Sequence, residues 1–468
     1  MQKALSWFNI LGLSLALYGA SLQAATGGLD EVAYTVIGAR GQAQVRVLTH
    51  DAVCPVLRWE GGKVRRMTLR APAETVAARA IGGQAERKAS VFDIRTCEAT
   101  WPEGASAAWL GKTKIPAPPK RIDRIVIVAD TGCRLKASEG AYQNCNDLHQ
   151  WPFAQVARSA ALTRPDLVVH IGDLHYRESP CAKDRAGCEG SPWGYGYDAW
   201  QADFFAPAQP LLQAAPWVFV RGNHESCLRA GQGWFRFMDA NRWSTERSCN
   251  SPVHDAQADH SEPYAVALDA STQMIVFDSA RASGKAMLGA DPDYAKYLAE
   301  LKDVDRLASR APNNLFLSHH PLLAYAPVKA NGQIKAGGSL GLQSVFAVRH
   351  PLRLFPEGIK LAFHGHVHLF EALSFSSDHP GTFILGNSGS ANEGHAPESA
   401  SKEVAVYPGA MPEAYTGRSA FGFATLERHQ LENELPGQRW VLTEFTPEGQ
   451  ARVRCQIFQG KSSCTSLD

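Results

Sequence analysis

The sequence lacks several features that would place it quickly. None of its ten cysteines forms a Cys-x-x-Cys pair, which argues against a thiolate zinc site. Charge of one sign is missing too: 47 lysines and arginines face 46 aspartates and glutamates, a formal net charge of +1. A chain so balanced does not draw in a polyanion in bulk, and no nucleic-acid partner is expected. No internal repeat is present. Long apolar runs are absent apart from Ile10 to Ala20, and that stretch is short for a bilayer span, which needs about 20 residues.

What the first residues do hold is a positive start at Lys3, the short apolar stretch and then small residues. Residues 1–24 therefore read as a secretory signal cut after Ala24, although Leu22 is not ideal at the −3 position. The expected mature protein is secreted or periplasmic, with no stable membrane span once the signal is gone. Apolar residues at 45% and charged residues at 20% of 468 indicate a globular chain with a large core and two or more domains. All ten cysteines follow the signal, and in an exported protein their even number suggests disulfides. Pairing of neighbours would give Cys54–Cys97, Cys133–Cys145, Cys181–Cys188, Cys227–Cys249 and Cys455–Cys464, each closing a local loop. The sequence alone does not decide the connectivity.

Two regions differ in pattern. Residues 25–119 alternate with period two, as in Gln44-Val45-Arg46-Val47-Leu48, and read as a small N-terminal β-sandwich domain. It ends in Ile115-Pro116-Ala117-Pro118-Pro119, which reads as a stiff linker. Residues 120–468 alternate apolar runs with helical patterns, the mark of an α/β domain. Strands are expected at Ile125–Val128, Leu167–Ile171, Trp217–Val220, Leu315–Leu317 and Lys360–Phe363. Residues 387–419, rich in Ala, Ser, Gly, Pro and Glu, read as a long surface loop. The segments 226–260 and 322–358 read as insertions, with Tyr325 a candidate to stack a base or sugar.

Each of the five strands ends in polar side chains. In order these are Asp130; Asp173 with Tyr176; Asn223 with His224; His319; and His366 with His368. A single Gly-Asp or His-His-Pro after a strand is usually a turn or a cap. Five in order, each at a strand end, are much harder to explain that way. Gathered at one edge of a sheet, where ligands of α/β proteins sit, the carboxylates would repel and the imidazoles would lack partners. Two metal ions about 3.5–4 Å apart would satisfy them all.

The motifs Asp130-Thr131-Gly132, Gly172-Asp173, Gly222-Asn223-His224-Glu225, His319 and Gly365-His366-Val367-His368 resemble those of the calcineurin-like metallophosphoesterase superfamily, over roughly Ile125 to Phe370. The resemblance implies a four-layer α/β/β/α sandwich. One departure is informative. Many members carry histidine where this chain has Gly132, and here Tyr176 follows Asp173 by three residues. The same joint exchange is seen in purple acid phosphatases, where tyrosine replaces the lost histidine as ligand. By that resemblance Asp130, Asp173, Tyr176 and His368 hold a first metal. Asp173 bridges, and Asn223, His319 and His366 complete a second. A phenolate beside two carboxylates suits Fe(III) next to a divalent ion, which could be Zn, Mn or Fe.

The resemblance further implies a phosphoric ester hydrolase acting through a metal-bound hydroxide, most simply an acid-phosphatase-like phosphomonoesterase. A phosphodiesterase on the same scaffold is the alternative, with a non-catalytic phosphate-binding or adhesion protein less favoured. His224 would protonate the leaving group or bind phosphate, and Glu225 would orient its ring. His320 and His175 are candidates to support the ligands from outside, while His170 and His364 read as structural.

Overall fold

The computed structural model describes residues 31–79, 87–401, 403–429 and 439–468. The expected signal, residues 1–24, lies outside them. Two large sheets carry the architecture. The eleven-stranded sheet has the parallel strands Arg124–Val128, Leu167–Ile171 and Trp217–Val220 at its centre. The seven-stranded sheet is built around the parallel strands Thr272–Phe277, Asn313–Ser318, Ile359–His364 and Gly381–Leu385. These strands are apolar on both faces, as parallel strands covered on both sides must be.

The alternation of side chains shows what covers each face. Val218 and Val220 turn inward and share a core with Leu315, Leu317, Leu361 and Phe363 of the second sheet. Trp217 and Phe219 turn outward against Phe204, with ring centroids 5.7 and 5.9 Å away. Phe204 lies in a π-turn, Gln201–Phe205, within the helical run Tyr197–Leu212. On the far side of the second sheet, Tyr297, Leu301 and Val304 of the helix Pro292–Ala308 pack with Phe277 and Phe316. That helix starts where Asp291 accepts from the Asp293 amide and Pro292 takes the first turn. The result is a mixed α/β architecture with the two sheets face to face.

The N-terminal β region does not stand apart from the rest. Residues Glu31–Asp468 form one compact unit. The strand Glu31–Ile37 runs parallel to Trp217–Val220, with Val36 opposite Trp217, and Ala43–Thr49, Arg95–Thr100 and Thr68–Ala71 continue the same sheet. A smaller four-stranded sheet, carrying Leu57, Trp59, Ala108 and Leu110, packs on these strands. The boundary expected at 119 is therefore crossed by the first sheet, which covers an edge strand that would otherwise show unpaired backbone groups. The Pro-rich stretch is likewise tied down: Ile115 is buried and the Pro116 carbonyl accepts from Thr35 Oγ1 at 2.6 Å.

Buried arginines fasten this region to the loop that follows Trp217–Val220. The helix Gly231–Phe237 ends with carbonyls that have no partner within the helix. Arg70 donates to Phe235 O at 2.8 Å, Arg236 O at 3.1 Å and Asp239 O at 3.0 Å, while pairing with Glu98 at 2.8 Å. Arg46 and Tyr34 both donate to Phe237 O, at 2.6 and 2.7 Å.

Two further expectations change. Residues 387–419 are not all surface loop: Asn387, Ser388 and Ser390 are buried, and Pro412–Arg418 is a strand paired with Phe370–Phe375. Tyr325 is fully buried against Tyr415, so it packs rather than stacks on a ligand. The five disulfides pair as neighbours: Cys54–Cys97, Cys133–Cys145, Cys181–Cys188, Cys227–Cys249 and Cys455–Cys464. No helix among the described residues is long and apolar enough to cross a membrane.

Arg70→Met strips partners from several buried carbonyls and from Glu98, and should lower unfolding free energy by about 3–5 kcal/mol in a denaturant titration with disulfides intact; an unmoved midpoint would show the clamp to be idle. A second test concerns pH. Burial raises the Glu371 carboxyl from 4.5 to about 8, while Tyr415 Oη donates to it at 2.9 Å. Its contribution is therefore fully present at acid pH and lost as pH climbs from about 4.5 to about 8. Glu371→Gln should flatten that part of the stability profile, and an identical slope in the variant would assign it to another group.

Candidate metal centre

Because the central strands of both sheets are parallel and in register, their carboxyl ends meet at one edge. Val128 lies opposite His170 and Ile171 opposite Val220 in one sheet, and Ser318 opposite His364 in the other. The next residues leave the strands together. Asp130, Asp173 and His366 do so with φ of 53°, 56° and 68°, a left-handed conformation that costs a non-glycine residue about 1–2 kcal/mol. It turns each side chain back over the sheet edge.

The seven expected ligand residues are brought together. Tyr176 Oη is 2.8 Å from Asp130 Oδ1, 2.9 Å from Asp173 Oδ2 and 2.8 Å from His368 Nε2. His319 Nε2 is 3.1 Å from Asp173 Oδ2 and 3.2 Å from Asn223 Oδ1. His366 Nδ1 is 3.2 Å from the same Asn223 oxygen. Asp173, His319 and His366 offer ligand atoms within 4.8 Å of one another. Two of the rings are aimed by backbone carbonyls: His319 Nδ1 meets Ile171 O at 2.8 Å, and His368 Nδ1 meets Ala391 O at 2.7 Å. Such partners fix the tautomer and leave Nε2 for the centre.

The donor set asks for cations. Asp130 and Asp173 are buried, and the partners at their inner oxygens are imidazoles and one phenol. Against its burial, Asp173 and Asp130 push the His319 imidazole up to about 9, whereas burial and His319 hold His366 down at about 4. Burial and the two carboxylates raise the Tyr176 phenol well above its ordinary range. A phenol has one proton to offer its three neighbours. Metal ions between these groups meet every one of those demands, so the residues present fit a metal centre.

Glu225 is placed differently from the expectation. Its carboxylate does not orient the His224 ring; it accepts the backbone N–H groups of Asp173 at 2.9 Å, Leu174 at 2.8 Å, His175 at 3.2 Å and Gly222 at 3.1 Å. Burial and the Asp173 charge push Glu225 up to about 8, so a cation that offsets Asp173 also favours the ionised clamp. His224 is held instead by Glu178, whose Oε1 accepts from Nδ1 at 2.7 Å, while the Arg229 guanidinium lies against the imidazole ring. Its ring stands 3.9 Å from that of Tyr176, and Nε2 faces Asp173 Oδ2 at 3.8 Å.

Of the other expected residues, His320 lies beside the cluster, its ring 4.1 Å from that of His366 and its amide donating to Ser279 Oγ at 2.9 Å. His175 does not: its ring packs 5.5 Å from both Tyr195 and Trp200, away from the ligands. His170 meets Thr131 Oγ1 and His364 meets Ser318, which are internal structural bonds.

Asp203, Glu178 and Arg229 carry no sequence signal of their own. Asp203 sits in the π-turn, a deviation that often marks functional positions, and accepts from the amides of Cys133 at 3.0 Å, Tyr176 at 2.7 Å and Arg177 at 3.0 Å. A Cβ at Gly132 would meet Asp203 Oδ2 at 2.9 Å and Tyr176 N at 2.8 Å, so this backbone has no place for a larger residue there.

Comparison with known proteins agrees with this geometry. Residues 123–370 match the family model for calcineurin-like phosphoesterases. No curated protein matches the chain by sequence. Among solved structures the fold is similar to purple acid phosphatase PPD1 from yellow lupin (Lupinus luteus) seeds, with TM-score 0.50 and 16% identity over 93% of this chain and 74% of that one. It is also similar to PhoD, with TM-score 0.52 and 11% identity over 93% of this chain and 92% of that one. At such identities the likeness concerns the fold alone.

If Glu225 fastens the Asp173 loop, Glu225→Gln should weaken metal affinity by about 10–100-fold, as loss of an outer partner typically does. Metal retained after dialysis against graded chelator reads this directly, and retention equal to wild type would deny the clamp its role.

Proposed function

The chain belongs to the calcineurin-like phosphoesterase family, whose members hydrolyse phosphoesters at a dinuclear metal site, and from that premise we propose that it is an exported, purple-acid-phosphatase-like phosphomonoesterase. The observation that carries the finer reading is the placement of Tyr176 Oη within 2.9 Å of both carboxylates and of His368, beside a glycine that leaves no room for a histidine ligand. Export is favoured by the five disulfides, which persist in oxidising compartments.

In this reading Asp130, Asp173, Tyr176 and His368 hold Fe(III), and Asp173, Asn223, His319 and His366 hold a divalent ion. Bound there, the pair would supply Lewis-acid charge and a water acidic enough to act as nucleophile near neutral pH. The remaining steps fall to the chain. Asn223 and His366, which are at least partly exposed while the other ligands are buried, mark the side from which an ester enters. His224 Nδ1 is held at Glu178, so Nε2 is the nitrogen that faces the centre and can exchange a proton with the departing alkoxide. Glu225 and Asp203 act earlier, by holding the backbone from which the ligands project.

Metal analysis with a visible spectrum tests the tyrosinate–iron assignment. The purified protein should contain about two metals per chain and absorb in the visible through phenolate-to-iron charge transfer, and Tyr176→Phe should lose the band. A colourless, iron-free and active enzyme would refute that assignment but leave the hydrolase reading intact. In parallel, His224→Ala should lower the turnover of p-nitrophenyl phosphate by about 10²–10⁴-fold without releasing metal; undiminished turnover would remove His224 from the reaction.

A further inference from the structure

A cation, Arg229, lies beside the proton-exchanging histidine, and no sequence motif marks it. Its guanidinium lies against the His224 ring, with Nη2 2.6 Å from Nδ1 and 2.7 Å from Nε2. Nε donates to Glu178 Oε1 at 2.8 Å, and Nη2 donates to the same oxygen. Glu178 is itself buried and held from several sides: by His224 at 2.7 Å, by Tyr195 Oη at 3.4 Å and by Lys136 Nζ at 3.8 Å. The carboxylate thus fixes the guanidinium in position and does not depend on Arg229 alone for its partners.

The third nitrogen of the guanidinium is different. Nη1 has no hydrogen-bond partner among the described residues and is not sealed from solvent, since Arg229 keeps 12% and His224 10% of their side-chain surface exposed. An arginine held by two of its nitrogens, with the third turned free beside a proton-exchanging imidazole, is pre-oriented for an oxyanion.

Resting on the phosphoesterase reading above, we propose that Arg229 is a specificity-determining residue: its free Nη1 edge binds a phosphoryl oxygen of the substrate and favours the doubly charged monoester over the singly charged diester. A phosphoryl group that reaches His224 Nε2 meets the guanidinium lying along the same ring. A terminal phosphate brings close to two negative charges at neutral pH, and a diester brings one, so the added Coulomb and hydrogen-bond interaction separates the two classes. The Arg70 and Arg46 clamp on Gly231–Phe237 holds the helix that begins two residues after Arg229.

The test compares wild type with Arg229→Gln and Arg229→Met, either of which suffices if the other does not fold, each checked for wild-type metal content. Substrates are p-nitrophenyl phosphate and bis(p-nitrophenyl) phosphate, with inorganic phosphate as competitive inhibitor. The variants should lose about 10–100-fold in kcat/KM on the monoester, the range of one hydrogen bond to a charged group. The diester should suffer far less, so that the monoester-to-diester ratio falls about tenfold and the phosphate inhibition constant rises with it. A merely structural role would lower both substrates together and leave the ratio and the phosphate constant unchanged, and that result overturns the proposal alone. A metal-loaded wild type that hydrolyses neither ester overturns the phosphoesterase reading and the proposal with it.

Discussion

The candidate ligand cluster rests on two buried carboxylates, Glu225 and Asp203, that accept the backbone amides of the loops carrying it. Glu225 gathers the amides of Gly222, Asp173, Leu174 and His175, and Asp203 gathers those of Cys133, Tyr176 and Arg177. Between them they bind three loops that leave three different strands. That matters because Asp130 and Asp173 sit in left-handed conformations, which persist only where the surroundings over-determine them. Charge-assisted bonds from a carboxylate to backbone N–H are among the stronger ones in a dry interior. They offset the backbone strain at the positions where it aims the side chains.

A second layer of restraint runs outward from there. The loop after Trp217–Val220 carries His224 and Arg229, closes through Cys227–Cys249, and is fastened by Arg46 and Arg70 from the N-terminal strands. Each of those arginines answers carbonyls at a helix end left without donors from within the helix. The N-terminal β region is thus joined to the rest of the unit through its shared sheet, and its buried arginines fasten the loop after Trp217–Val220. Loops near reaction centres are commonly the least restrained parts of a protein, and this one is held by a disulfide, a sheet and two guanidinium groups.

Much of the site was legible in the sequence because its chemistry is local. A strand that ends in Gly-Asp or Gly-Asn-His-Glu delivers those groups to one edge whatever the loops do, which is why the candidate ligand residues gather there; their division between two metals was implied by the family resemblance alone. The roles of Glu225, Glu178 and Arg229 were not legible, since they turn on which atoms meet across 50 residues of chain. Glu225 adjoins His224 in sequence, yet the short turn at Asn223–Glu225 points its carboxylate back at Gly222 and the Asp173 loop. The continuity of the N-terminal strands was hidden for a related reason. The pairing of Val36 with Trp217 is parallel and spans most of two hundred residues, and a period-two pattern reveals a strand without its neighbour. Residues 387–419 misled through composition: Ser388 and Ser390 are polar, but they are buried where Ala129 and Asp130 need partners.

Gly132 and Tyr176 are tied to one another through Asp203. A side chain at 132 would have to displace the Asp203 carboxylate, the Tyr176 amide or the Leu174 carbonyl, all within 2.9 Å of its first carbon. Losing Asp203 would in turn release Tyr176 N, Arg177 N and Cys133 N. A histidine at 132 and a tyrosine at 176 therefore demand different backbones, not merely different side chains. The phenol enters from the Asp173 loop because Asp203 draws that loop close to residue 132, and the same closeness excludes the histidine. Which side chain can reach this corner is fixed by the clamp behind it.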